Sequence, residues 1–202
     1  MEIRAENGKI HIEGYVNVVE KPSKIIKEHG KSFREVVKPN VFKRALDKNS
    51  DNVHFLLNHD SNKVLGSIND GNVSLREDSM GLKIIADIDD NEEIRQAMED
   101  GTLNGFSYGF VALDDSYREY DGIQLRELNE IELIEVSLLA GKTPAYDGTI
   151  ILNAETRSIN DKPIEIREMV ISPSPATETE EEKELRILKE YFTLLSYYIK
   201  NS

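Results

Sequence analysis

Three short segments of this sequence carry residue types that could do acid–base or nucleophilic chemistry. The first, Gly105-Phe106-Ser107-Tyr108-Gly109, fits the G-x-S-x-G pattern that places a serine on a sharp strand-to-helix turn. A serine hydroxyl is a poor nucleophile at neutral pH and needs a neighbouring base to take its proton. The α/β-hydrolases order their triad Ser, acid, His. Here all four histidines, His11, His29, His54 and His59, precede Ser107, so that fold is excluded. Triads are defined by geometry rather than chain order, and an upstream histidine can serve. His59 has the best setting: it ends the apolar run Val53-His54-Phe55-Leu56-Leu57-Asn58-His59 and opens into Asn58-His59-Asp60-Ser61-Asn62, where a strand could present it at a rim. The same letters also fit a polar histidine at a strand end and a small residue in a Gly-rich strand.

The third segment is Glu130-Ile131-Glu132-Leu133-Ile134-Glu135-Val136-Ser137-Leu138-Leu139. A carboxylate buried in such an apolar strand must be paired or hydrogen-bonded. Glu132 and Glu135 fall on opposite faces of a regular strand, and Glu135, flanked by Ile134 and Val136, reads as the more buried. An edge strand with solvated carboxylates is the alternative. No metal site is expected: His54, His59 and Asp60 lack His-x-His or His-Glu-x-x-His spacing, and there is no phosphate-binding glycine loop.

Positioning such groups requires a core, and 202 residues with 39% hydrophobic content suffice for one domain, with or without an appendage. The absence of cysteine removes disulfides, thiolate zinc sites and cysteine nucleophiles. No run approaches the roughly 18 apolar residues of a membrane span, and the N-terminal residues lack a secretory h-region, so a soluble intracellular protein is expected. A net charge of −13 argues against nucleic acid as partner, because phosphate binding requires an excess of Lys and Arg. The acidity is spread along the chain, with ten acids and seven bases from Glu155 onward.

Period-two alternation at Lys9–Glu13, the β-rich run Gly14–Val19 and further short apolar runs predict strands, the later ones at Phe33–Val37, Val53–His59, Leu65–Ile68, Asn72–Leu75, Leu82–Ile88, Phe106–Leu113 and Leu125–Leu139, the last long enough to contain a bend or break. Pro22 and Gly30 bracket a polar loop. Short helices are predicted from Pro39, with Val41, Phe42, Ala45 and Leu46 on one face, and from an Asn91 cap to a Gly101 stop. Many strands and few helices favour an antiparallel barrel or sandwich. The catalytic domain is drawn at residues 1–154, a linker containing Ser172-Pro173-Ser174-Pro175 at 155–177, and an amphipathic helical tail at 178–202. In that tail Leu185, Leu188, Phe192, Leu195 and Ile199 make a short heptad seam, suited to docking on the chain's own body or to a partner.

Taken in order, these segments resemble the tailed-bacteriophage prohead protease family, the capsid-maturation serine peptidases, over residues 10–153. The resemblance rests on Gly14-Tyr15, Phe33-Arg34-Glu35, Pro39-Asn40-Val41-Phe42, Leu56-Leu57-Asn58-His59-Asp60 with Leu65-Gly66, and Gly81-Leu82. It continues through Gly101-Thr102-Leu103-Asn104-Gly105-Phe106-Ser107-Tyr108-Gly109-Phe110 and Leu133-Ile134-Glu135-Val136-Ser137-Leu138 with Thr143-Pro144-Ala145-Tyr146. It implies a mainly β fold related to the herpesvirus assemblins, a closed antiparallel β-barrel with a few peripheral helices. It implies His59 as general base, Ser107 as nucleophile and Glu135 as the group orienting the imidazole, with Glu132 the alternative. Backbone N–H groups near residues 140–145, and Lys142, are the expected oxyanion donors. No cofactor or metal is implied. The expected substrates are the phage major capsid and scaffolding proteins, with self-cleavage left open, inside the assembling prohead in the host cytoplasm. The tail helix is expected to pair with the scaffold or with a second copy of itself, and neither nucleic acid nor membrane is expected as a partner. The rival reading is a non-catalytic capsid assembly factor of the same fold.

Overall fold

The first strands are set by a hairpin signal. Glu2–Glu6 (β1) and Lys9–Val18 (β2) are joined by Asn7-Gly8, both at positive φ, the two-residue turn whose twist matches antiparallel strands. The alternation of β2 buries Ile10, Ile12 and Val16. A computed structural model describes residues 1–28, 30–141, 156–159 and 162–170 of the chain, all within one compact unit. Beyond β2 come Ile26–Glu28 (β3) and Lys31–Val37 (β4), then helix Val41–Asn49 (α1) and a 3-10 turn at Ser50–Asn52. His54–Leu57 (β5), Asp60–Ser67 (β6), Val73–Glu77 (β7), Gly81–Asp89 (β8) and helix Glu92–Glu99 (α2) follow. Leu103–Tyr120 (β9), Ile123–Ala140 (β10), Thr156–Ile159 (β11) and Lys162–Val170 (β12) complete the described elements.

Both helix starts show how the sequence satisfies orphan N–H groups. Asn91 accepts a hydrogen bond from the Ile94 N–H at 3.1 Å, as its position before the apolar face predicts. At α1, Asn40 makes no side-chain cap. Instead the Glu77 carboxylate accepts from the N–H groups of Asn40 and Lys43 at 2.5 and 2.8 Å, placing negative charge at the positive end of the helix dipole. Pro39 thus lies before the helix rather than in its first turn.

The strands form two sheets, ordered β1-β2-β8-β7 and β11-β12-β9-β10-β4-β3, with β5 pairing β10 and β6. The core lies between them: Ile10, Ile12, Ile84 and Ile88 from one meet Phe106, Tyr108, Phe110, Val136 and Leu138 from the other, with Phe42 of α1 and Ile94 of α2 sealing the ends. The closed antiparallel barrel expected from the sequence is therefore corrected to two sheets. Among the described residues no ladder joins them, and β10 pairs in parallel with β4 over Gln124–Leu128 and with β5 over Glu135–Leu138. The larger sheet is strongly curled. In a flat sheet Arg167, level with Tyr108, and Glu35, level through Arg126 with Tyr117, would lie nine residues apart along the strands, about 30 Å, beyond the reach of two side chains. Yet the Arg167 guanidinium of β12 donates to Glu35 of β4 at 2.8 and 3.1 Å.

Residues 156–159 and 162–170, read from the sequence as linker, are paired strands, with β12 on β9. The tail helix at 178–202 and its seam lie outside the described residues. No helix among the described residues is long and apolar enough to cross a membrane.

Gly81 tests the packing between β2 and β8. A Cβ there would stand 2.0 Å from the Asn17 carbonyl oxygen and 2.8 Å from Val18 Cα, both backbone atoms that no rotamer change can move. Gly81→Ala is expected to destabilise the fold by at least about 2 kcal/mol. A matching fall in the urea midpoint would check this.

Candidate active site

The alternation of β9 sorts its residues by chemistry. Phe106, Tyr108 and Phe110 enter the core, which leaves Gly105, Ser107, Gly109 and Val111 on the opposite face. On β10, Ser137 stands opposite Ser107 and Glu135 opposite Gly109. Antiparallel partners share a face, so the serine and the glutamate do too.

Glu132 stands opposite Val111 and so shares that face as well. This corrects the expectation that Glu132 and Glu135 diverge. The pairing register shifts between Leu133 and Glu135, and one residue, Ile134, is extra. Such a bulge resets the alternation and re-aims the side chains beyond it. The carboxylate that meets His59 is Glu135.

His59 arrives from the turn between β5 and β6. Leu57 pairs with Asp60, leaving Asn58 and His59 as a two-residue turn with φ of 54° and 62°. The turns joining β1 to β2 and β9 to β10 are Asn7-Gly8 and Asp121-Gly122, with glycine second. Here a histidine takes the glycine place, a conformation that surrounding structure must enforce. Asn58 supplies the enforcement. Its side chain donates to the Ala140 carbonyl at 2.8 Å and accepts from the Ala140 N–H at 2.9 Å, while its own N–H donates to the Leu138 carbonyl at 2.9 Å. Sequence reasoning quoted Asn58 in a motif and gave it no role; an asparagine where two consecutive residues need positive φ was the available signal.

The result is a buried His–Glu pair. His59 Nδ1 and Glu135 Oε1 are 2.5 Å apart. The ionised carboxylate only accepts, so Nδ1 carries the proton and Nε2 is the basic nitrogen. The Ser137 hydroxyl donates to Glu135 Oε2 at 2.8 Å and accepts from the His59 N–H at 3.3 Å. Gly109 makes room for this: a Cβ there would lie 2.9 Å from Glu135 Cγ and 3.1 Å from its Oε1. The second glycine of the G-x-S-x-G pattern therefore marks a carboxylate seat within a strand, not a strand-to-helix turn.

Ser107 is fully buried, and its hydroxyl donates to the Arg167 carbonyl of β12 at 3.0 Å. The structure thus joins His59 and Glu135 directly, and Ser107 faces Ser137, the hydroxyl that both of them touch. Of the expected oxyanion donors, residues 142–145 lie outside the described residues. The N–H groups of Ala140 and Gly141 are engaged by Asn58 Oδ1 and the Thr102 carbonyl. His54 is an exposed residue at the start of β5, and His11 on β2 contacts Asp87 at 2.8 Å. Among the described residues no group of three His, Asp or Glu side chains converges as a metal ion would require.

The model of the caudovirus prohead serine protease family matches residues 1–163. The chain belongs to that family. No curated protein and no solved structure matches it. For this prohead protease family member, the three segments picked out by spacing in the sequence all lie within the matched span.

A second cluster was not legible in the sequence. Arg126 of β10 and Arg167 of β12 are buried among carboxylates. Arg126 contacts Glu35, Glu165 and Asp115, and Arg167 contacts Glu35, Glu165 at 2.6 Å and Glu28 at 3.7 Å. Burial alone would lower both guanidinium pKa values, but these carboxylates raise them above the usual arginine range. Burial pushes the Glu165 carboxyl up, yet the Arg126 hydrogen bond and both positive charges leave it below the ordinary value.

Proposed function

We propose that this chain is a serine endopeptidase of phage prohead maturation, cutting extensions of the major capsid protein and of the scaffolding protein inside the assembling prohead. The observation that carries the reading is the buried His59–Glu135 contact on the face that also holds Ser107. Glu135 fixes the tautomer and orientation of the ring, leaving Nε2 to act as base. Once a substrate peptide is seated, the Ser107 hydroxyl turns from the Arg167 carbonyl to His59. Nε2 takes the proton as Oγ attacks the peptide carbonyl carbon, and the imidazolium is stabilised by Glu135. His59 then protonates the leaving amine, and the acyl-serine forms as the C–N bond breaks. Water, deprotonated by His59, cleaves that ester and restores the serine.

The test is co-expression with the capsid and scaffolding proteins of the same phage. Wild-type chain shortens one or both by mass spectrometry, and Ser107→Ala leaves both at full length; full-length products with both would overturn the reading. The carboxylate seat gives a second expectation. Gly109→Ala pushes Glu135 away from the ring, and a displacement near 1 Å lowers turnover on the order of 10²-fold. The kcat of the folded variant on a processed capsid peptide checks it.

A further inference from the structure

The match to the family ends at residue 163, the second residue of β12, so the strand beside the serine lies almost wholly beyond it. That strand runs antiparallel along β9 from Phe110 to Gly105, with Glu168 opposite Ser107 and Arg167 opposite Tyr108. This is how an extended peptide adds to a sheet edge, through main-chain pairing with side chains read alternately. What β12 offers Ser107 is a backbone carbonyl, that of Arg167, the kind of group a serine protease attacks.

The side chain beneath that carbonyl is equally specific. Arg167 forks onto Glu35 at 2.8 and 3.1 Å, both residues being 4% exposed. β12 contributes Glu165 and Arg167 to the charge cluster. Without them, Glu35 of β4 loses the Arg167 fork and shares Arg126 of β10 with Asp115 of β9, two carboxylates to one guanidinium among the residues named. A buried carboxylate that loses its partner is strongly unfavourable, so whatever replaces β12 is favoured if it brings a cation to the same place. The strand is held on the other face by Ile164 and Ile166, packed with Val111 and Ile134.

We propose that Glu35 selects a basic residue in the peptide this site takes, and that β12 is the chain's own stand-in for that peptide, covering Ser107 until it is displaced. The selected residue is the one whose carbonyl meets the Ser107 hydroxyl. This rests on the protease reading above.

The test uses the full chain and a fluorophosphonate that labels active serines. Ile164→Asp with Ile166→Asp unseats β12, and labelling of Ser107 should accelerate at least ten-fold while amide exchange in β2 and β8 stays as in wild type. The nonapeptide with the sequence of residues 162–170, added to that variant, should protect Ser107. The same peptide carrying Arg167→Ala should protect at least ten-fold less, and in a Glu35→Gln background the two peptides should act alike. Unchanged labelling, equal protection by the two peptides, or unfolding of the double variant would each overturn the inference. The last would make β12 an integral strand. Labelling without arginine preference removes the inference alone, whereas folded chains that never label at Ser107 remove the protease reading and the inference together.

Discussion

Ser107→Ala is expected to yield a folded protein that processes no capsid or scaffold extension. The hydroxyl is buried and makes one described hydrogen bond, to the Arg167 carbonyl, so its loss costs about 0.5–1.5 kcal/mol of stability. In the proposed mechanism activity depends on the same atom, the one that forms the acyl intermediate. Losses on the order of 10⁴–10⁶ in kcat follow for Ser107→Ala and for His59→Ala, and the double variant should be no worse than either single one, because the members of such a unit fail together. His59→Ala is the less stable of the two, as it leaves the Glu135 carboxylate buried with the Ser137 hydroxyl but without the ring. Mass spectrometry of capsid protein assembled with each variant, beside thermal unfolding, separates the effects. Normal processing by a folded Ser107→Ala chain would sink the mechanism.

The second large effect belongs to the glutamates. Glu135→Gln keeps the size of the side chain but can present an amide N–H₂ to Nδ1, favouring the tautomer in which Nε2 carries the proton and cannot act as base. Turnover should fall about 10³–10⁴-fold. Glu132→Gln alters a half-buried residue opposite Val111 and should change turnover little. Equal, mild effects at the two positions would mean that neither carboxylate orients His59. The rate in both variants should be followed across pH 5 to 9, since a tautomer defect lowers the plateau rather than displacing it.

The contrast between these glutamates shows what a linear sequence conveys and what it withholds. Local signals were legible: the Asn91 cap, the alternation of β2 and β8, and the apolar run that delivers His59 to a rim. The three residues proposed for the site were singled out by their order and motif context. The shared face of Glu132 and Glu135 did not, because an extra residue in a ladder depends on the partner strand, and strict alternation cannot reveal it. Parallel pairing of β10 with both β4 and β5 was hidden for the same reason. Arg126, Glu35 and Arg167 look like surface charges in isolation; only the curl of the sheet brings them together in the interior. Residues 162–170 alternate like any strand, but the Pro- and Ser-rich letters that follow drew the whole span into a linker.

The central place of β10 also has a temporal consequence. It completes the pairing of β4 and β5, both made long before it, and it carries the carboxylate that His59 needs. Sheets closed by such distant pairings have high contact order and form late. Synthesis from Ser107 to Ala140, the end of β10, takes roughly 2–7 s at ordinary elongation rates. During that interval Ser107 and His59 both exist in the nascent chain while the strand that carries Glu135 is still incomplete. Under the proposed mechanism the nascent chain has no competent site until β10 is made and paired, and competence arrives as a single event instead of growing with chain length.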